Sequence, residues 1–185
     1  MFKLNAKELR TTPVDPDIVK KRKKNPITII LDNVLDTYNV GSIFRLADAV
    51  SAEKVIICGD TLTPPNSRIK KASINTWQWV EWKYTPTAMD AITECKVKSE
   101  KCKVVAVEQD RRSKLFYTVR YELPLAIVVG NETHGVSKDV LDKADMIVEM
   151  PMWGINKSLN VMVSCGIILY TIMEKCVSRA KSGAK

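Results

Sequence analysis

Metal-binding side chains are scarce in this 185-residue sequence, which holds one histidine, His134, and five cysteines, none in a C-x-x-C pair. Cys58, Cys95, Cys102, Cys165 and Cys176 are odd in number, so no full pairing exists. No zinc-type ligand cluster is visible, and reduced, mostly buried thiols are expected. No apolar run approaches the ~18 residues of a membrane span. The start, MFKLNAKELR, lacks the apolar core of a signal peptide. A cytoplasmic protein with no membrane partner is expected. Glycine fingerprints are missing too. The stretch Asp32–Ser42 holds one glycine, Gly41, where a dinucleotide fold wants G-x-G-x-x-G, and no G-x-x-x-x-G-K-[ST] loop occurs. Nicotinamide oxidoreductase and P-loop hydrolase chemistry are thereby disfavoured.

Hydrophobic residues at 45% and charged residues at 27% are ordinary for one globular domain with a sizeable core. The net charge of +8 is unevenly placed. Residues 1–24 carry eight Lys/Arg against three Asp/Glu, and residues 175–185 carry four against none. The body between them is near neutral. Such a balance suits a polyanion held through its phosphates. The run Lys20-Lys21-Arg22-Lys23-Lys24 reads equally well as a solvated face.

Apolar stretches at 27–32, 54–58, 103–108, 125–130 and 146–150 read as buried strands, with a shorter one over 79–84. Helical patterns fall at about 17–24, 38–50, 86–96 (with Pro86 in its first turn), from 137, and 157–176. In the last of these, Leu159, Met162, Val163, Gly166, Leu169 and Met173 share one side. Residues 61–67 and 109–118 read as loops. Strands alternating with helices predict an α/β fold: a parallel sheet covered by helices on both faces.

Polar groups gather where these strands end, which is where open α/β folds place their ligands. After the first strand comes Asn39-Val-Gly-Ser-Ile-Phe-Arg45. Asn39 and Arg45 share a helix face only if Asn39 caps the helix, a position asparagine favours. After the fourth strand comes Gly130-Asn-Glu-Thr-His-Gly135, whose first glycine lets a ligand approach the backbone. His134 has no evident partner and reads as incidental. After the fifth strand comes Pro151-Met-Trp-Gly, then Ser158-Leu-Asn160, with Ser158 a good N-cap for the closing helix.

Together N-V-G-x-x-x-R, G-N-E-x-x-G and P-M-x-G-x-x-x-S-L-N, in this order over about residues 26–176, resemble the SpoU-type RNA 2′-O-ribose methyltransferases of the SPOUT superfamily. The resemblance implies a C-terminal trefoil knot, a homodimer, and S-adenosylmethionine as methyl donor, with no metal. It implies transfer to a ribose 2′-hydroxyl of RNA, tRNA first and rRNA as the alternative. The basic ends and Val107-Glu108-Gln109 are similar to the tRNA guanosine-18 group. Carried over, Asn39 and Arg45, Glu132, Ser158 and Asn160 are the implied catalytic set. Arg45 would position the hydroxyl, and Glu132 would orient Arg45 or Asn39. Main chain around Val107, Glu108, Val129, Gly130, Met150 and Leu159 would hold the cofactor. The implied organisation is a basic arm over 1–25, a methyltransferase domain over 26–176 and a basic tail over 177–185. Thr133-His134 and Met162-Val163-Ser164 depart from the family's usual residues, outside the implied catalytic positions. Two rivals remain: a non-catalytic knotted RNA-binding protein, and a base-methylating relative. Trp77, Trp79 and Trp82 read as packing residues before base-stacking ones.

Overall fold

The computed structural model describes residues 8–9 and 14–178, so the tail and much of the arm lie outside the described residues. Among the described residues there are seven strands: β1 (Asn25–Asp32), β2 (Ala52–Cys58), β3 (Trp82–Thr85), β4 (Lys103–Val107), β5 (Lys114–Leu115), β6 (Leu125–Gly130) and β7 (Met146–Glu149); β5 is a two-residue strand inside the stretch expected to be a loop. They make one sheet in the order β3-β2-β1-β6-β4-β7-β5, every pair parallel. Register aligns Asp32 with Gly130, and Val107 with both Val129 and Val148. The C-terminal ends of β1, β4, β6 and β7 are therefore level, and the loops leaving them converge.

Among the described residues the α-helices of six residues or more are α1 (Pro16–Lys21), α2 (Thr37–Ala49), α3 (Ser67–Ser73), α4 (Ala88–Lys98), α5 (Lys138–Lys143) and α6 (Val161–Ile172). Strand residues alternate between two cores, as the pleat requires. Ile27, Ile29, Leu31, Val55, Ile57, Ile127 and Val129 pack with α2, α3 and α6. Ile30, Ile56, Val104, Ala106, Ala126 and Val128 pack with α4 and α5. The expected double-sided α/β sheet is thus observed. All five cysteines are free thiols, four of them buried. Trp77, Trp79 and Trp82 pack against the first core, and the Trp79 indole donates to Asp48 at 2.8 Å.

Three helix starts differ from expectation. Asp36, not Asn39, caps α2, its carboxylate accepting from the Tyr38 amide at 2.8 Å. Asn39 sits inside the first turn and is buried. Thr87 caps α4 in a reciprocal box with Asp90, so Pro86 lies just outside the helix. Asn160, not Ser158, caps α6, accepting from the Met162 amide at 2.9 Å. Each wrong choice had a competing Asx or hydroxyl residue within three positions, and caps are nearly degenerate among such side chains.

The buried side of α6 differs in part. Cys165, Ile168, Leu169 and Ile172 are buried; of the expected stripe Leu169 is buried and Met162 and Met173 pack against the same core, whereas Leu159 and Val163 are exposed. The helix is apolar nearly all round, so periodicity cannot select a face. Helix α3 has no periodic pattern to announce it. It is fixed by contact: a Cβ on Gly41 would lie 2.6 Å from the Ala72 Cβ and 2.8 Å from the Ile69 carbonyl oxygen. Gly41→Ala gains about 1 kcal/mol of helix propensity but overpacks this crossing by about 1–3 kcal/mol. The expected net outcome is a loss of stability, read as a lower urea midpoint with an unchanged slope.

Candidate active site

Asp32 and Asn33 end β1 and hold the neighbouring loop from below. One Asp32 carboxylate oxygen accepts the Ser137 amide at 2.8 Å, and the other accepts the Asn33 side-chain amide at 3.0 Å. Asn33 adopts φ 56°, and its carbonyl accepts the Asn131 side-chain amide at 2.9 Å. The Asn131 side-chain oxygen in turn accepts the amides of Thr133 and His134. Main-chain bonds between Asn131 and Gly135 close the turn. A Cβ on Gly130 would lie 2.2 Å from the Gly135 carbonyl carbon, so this turn requires glycine at its base.

Glu108 completes the hold. Its carboxylate accepts the Val136 amide at 2.9 Å and the Gln109 amide at 2.8 Å. Gly135, at φ 69°, packs against that carboxylate with no room for a Cβ. The Glu108 side chain therefore braces the loop, leaving only its main chain for a ligand.

Above this base the three motifs meet in one hydrogen-bonded chain. The Asn160 side-chain amide donates to the Asn39 side-chain oxygen at 3.0 Å. The Asn39 amide donates to Glu132 at 2.8 Å. Glu132 also accepts the main-chain amides of Leu35 at 3.0 Å and Asp36 at 3.1 Å. Burial pushes the Glu132 pKa up, but bonds from Asn39 and the backbone outweigh it and hold it below the usual carboxylate value. Glu132 is thus a stable anion and a weak base. It orients Asn39 and makes no bond to Arg45.

The strand ends and the segment 150–161 enclose a cleft of about 420 Å³. All six implied cofactor residues line it: Val107, Glu108, Val129, Gly130, Met150 and Leu159. Glu132, Ser158 and Asn160 line it as well. Asn39 is reached through its bonds to two of these. Arg45 stands apart. It lies on an exposed side of α2, about two turns from Asn39, with no ion-pair or hydrogen-bond partner among the described residues. Gln109, in the loop after β4, lines the cleft and donates to the Lys157 carbonyl, tying β4 to the far wall.

A profile of the SpoU rRNA Methylase family matches residues 26–170. The chain belongs to that family. Among its SpoU relatives, the tRNA (guanosine(18)-2′-O)-methyltransferase of Aquifex aeolicus is 32% identical over 160 residues, 83% of this chain and 71% of the relative. A crystal structure of the A. aeolicus TrmH/SpoU tRNA modifying enzyme superposes with a TM-score of 0.74 at 29% identity, covering 96% of this chain and 84% of that one. An AdoMet-bound rRNA methyltransferase from Sinorhizobium meliloti gives 0.75 at 25% identity, covering 91% of this chain and 60% of that one. The chain spans 61% of a putative TrmH family tRNA/rRNA methyltransferase of Bacillus subtilis, to which it is 29% identical over 156 residues, 84% of this chain.

The depressed Glu132 pKa has a testable consequence. Its ionised form is favoured in the folded state, so this stability is fully present above the unfolded value of about 4.3. It is lost as pH falls through the folded value. Glu132→Gln should therefore be less stable than wild type near neutrality, and the gap should close in acid. Urea unfolding at a series of pH values reads this directly. A gap that stays constant into acid would show that the carboxylate's charge contributes nothing.

Proposed function

We propose that this chain transfers the methyl group of S-adenosylmethionine to a ribose 2′-hydroxyl of structured RNA. The observation that carries this reading is the Glu132–Asn39–Asn160 chain, which joins all three SpoU motifs on the wall of one cleft. The names of the relatives favour tRNA, with rRNA as the alternative.

The residues present fit the cofactor. The cleft volume lies in the range of small-molecule sites, about 300–1,000 Å³. Its walls are apolar strand ends with main-chain groups, which suit an adenine edge and a methionine chain. Val107, Glu108, Val129, Gly130, Met150 and Leu159 would hold it. When bound it supplies a sulfonium-activated methyl group. The chain's own residues then position the ribose and its proton. Asn160 lines the cleft wall, fixed by its bond to the buried Asn39 and by its cap on α6, and Glu132 in turn fixes Asn39. Ser158 adds a hydroxyl at the same wall. Glu132, held as an anion by bonds from Asn39 and from the Leu35 and Asp36 amides, is a poor proton acceptor. The 2′-hydroxyl proton therefore leaves to a substrate phosphate or to water. Arg45 is assigned to the RNA, consistent with its exposure and free guanidinium. An arginine keeps its proton below about pH 12, which favours orientation over base chemistry.

We take residues 26–176 as the catalytic unit, flanked by basic segments 1–25 and 177–185, with the family's knot at its C-terminal end. A homodimer is supported by apolar side chains left in solvent: Trp153 at 88% exposure and Ile155 fully exposed, beside Leu159, Val163 and Tyr170. No helix among the described residues is long and apolar enough to cross a membrane, and a cytoplasmic site fits this reading.

Calorimetric titration with S-adenosylmethionine in metal-free buffer should show saturable binding. Complete absence of heat with dimeric, folded protein would favour the non-catalytic rival. Arg45→Ala should keep cofactor affinity and lose methyl transfer to RNA by at least tenfold, a barrier rise above ~1.4 kcal/mol. A variant retaining most of the wild-type rate would remove Arg45 from the mechanism.

A further inference from the structure

The basic run expected to hold a polyanion lies at the wrong end of the sheet. Arg22 is paired with Asp48, at the end of α2 remote from the cleft. Lys24 is paired with Glu81, just before β3. Asn25 opens β1 and pairs with Ala52, at the N-terminal ends of both strands. The cleft is at the C-terminal ends. Lys20 and Lys21 on α1 are exposed, but they stand a whole strand length from the site.

Helix α3 is placed differently. Its Ile69, Ala72 and Ser73 press on Gly41, two residues from Asn39, so it crosses α2 beside the site. Its outward residues Arg68, Lys70 and Lys71 are exposed, and their side chains have no ion-pair or hydrogen-bond partner among the described residues. Two other cations near the cleft are paired. Arg112 pairs with Asp110 and Asp142, and Lys138 pairs with Asp142. The helix is also rigidly set. Asn66 caps it, its side chain accepting from Arg68 and Ile69 at 2.9 and 3.2 Å. Ile74 and Asn75 end it in left-handed conformations, φ 50° and 65°. Ile74 is β-branched and buried, so that ending is strained and persists because the surroundings impose it.

We propose that Arg68, Lys70 and Lys71 on α3 form the phosphate-binding platform that seats the RNA backbone beside the Asn39 wall. This rests on the functional reading above and adds where the substrate is held. Such contacts position a nucleic acid without reading its sequence. The surface therefore fits a structured RNA of any sequence, and selectivity lies elsewhere.

The test compares two charge-matched variants of the full chain, Arg68→Gln/Lys71→Gln and Lys20→Gln/Lys21→Gln. Each is checked for folding by circular dichroism and for S-adenosylmethionine affinity by calorimetry. The probe is an unmodified tRNA transcript, its affinity measured against salt concentration. Counterion release predicts that the α3 variant flattens the log–log slope by about 1.5 units. Its KM for RNA should rise while its cofactor affinity stays at the wild-type value. The α1 variant should keep both the slope and the KM. An unchanged slope in the α3 variant, or an equal drop in the two variants, would overturn the platform. If wild type binds the transcript and methylates nothing, in tRNA or total RNA, the functional reading fails instead, and the proposed place of the platform in catalysis falls with it.

Discussion

Three polar side chains remote in sequence depend on one another: Glu132, Asn39 and Asn160. Asn39 is 5% exposed, and its amide makes two side-chain bonds, one to each of the other two. A buried amide left without partners costs about 1–3 kcal/mol, so each bond specifies where the other loops must be. Asn160 does this while capping α6, and Glu132 does it while accepting two main-chain amides near the start of α2. The helix starts, the turn after β6 and the wall of the cleft are thus one hydrogen-bonded unit.

Beneath that unit, two further acids have structural duties. Asp32 and Glu108 each accept a main-chain amide from the segment that closes the turn after β6. Three carboxylates thereby serve the backbone around one cleft. Carboxylates that accept several N–H bonds favour the charged form, and for Glu132 this outweighs the effect of burial. Acids committed to the backbone in this way suit a site whose electrophile is already activated and whose nucleophile needs placement above all.

Strands β1, β2, β4, β6 and β7 were legible because each carries an apolar run, and a parallel sheet buried on both faces leaves that signature; β5, a Lys-Leu pair at the sheet edge, carries none. The six residues implied as cofactor contacts line the cleft, five of them at or beside the ends of those runs and Leu159 in the segment after β7. Helix boundaries were less legible. Asp36 competed with Asn39, and Asn160 with Ser158, for one cap each, and only tertiary partners decide such contests. The face of α6 was hidden by its uniform apolarity. Its register is set by packing, with Gly166 close against Leu46 of α2. Helix α3 was invisible for the opposite reason: seven residues with three cations carry almost no hydrophobic period. Arg45 could be picked out by motif, but its separation from the cleft follows from helix geometry that Asn39, not being the cap, makes unavoidable.

A parallel sheet is polar as an object: every strand points the same way, so one rim collects all the exits and the other all the entries. Charge in the sequence has no such direction. Lys20 and Lys21 precede β1 and fall at the entry rim, whatever their density. Arg68, Lys70 and Lys71 follow β2, and Gly41 draws their helix across the turn of α2 that leaves β1. Whether a basic cluster serves a ligand at the exits therefore depends less on how many charges it holds than on whether it comes before a strand or after one. The same rule places Asn39, Glu132 and Asn160 together, since each lies within about ten residues after a strand end, and it leaves the entry rim to ion pairs such as Lys98–Glu53 and Lys96–Asp145.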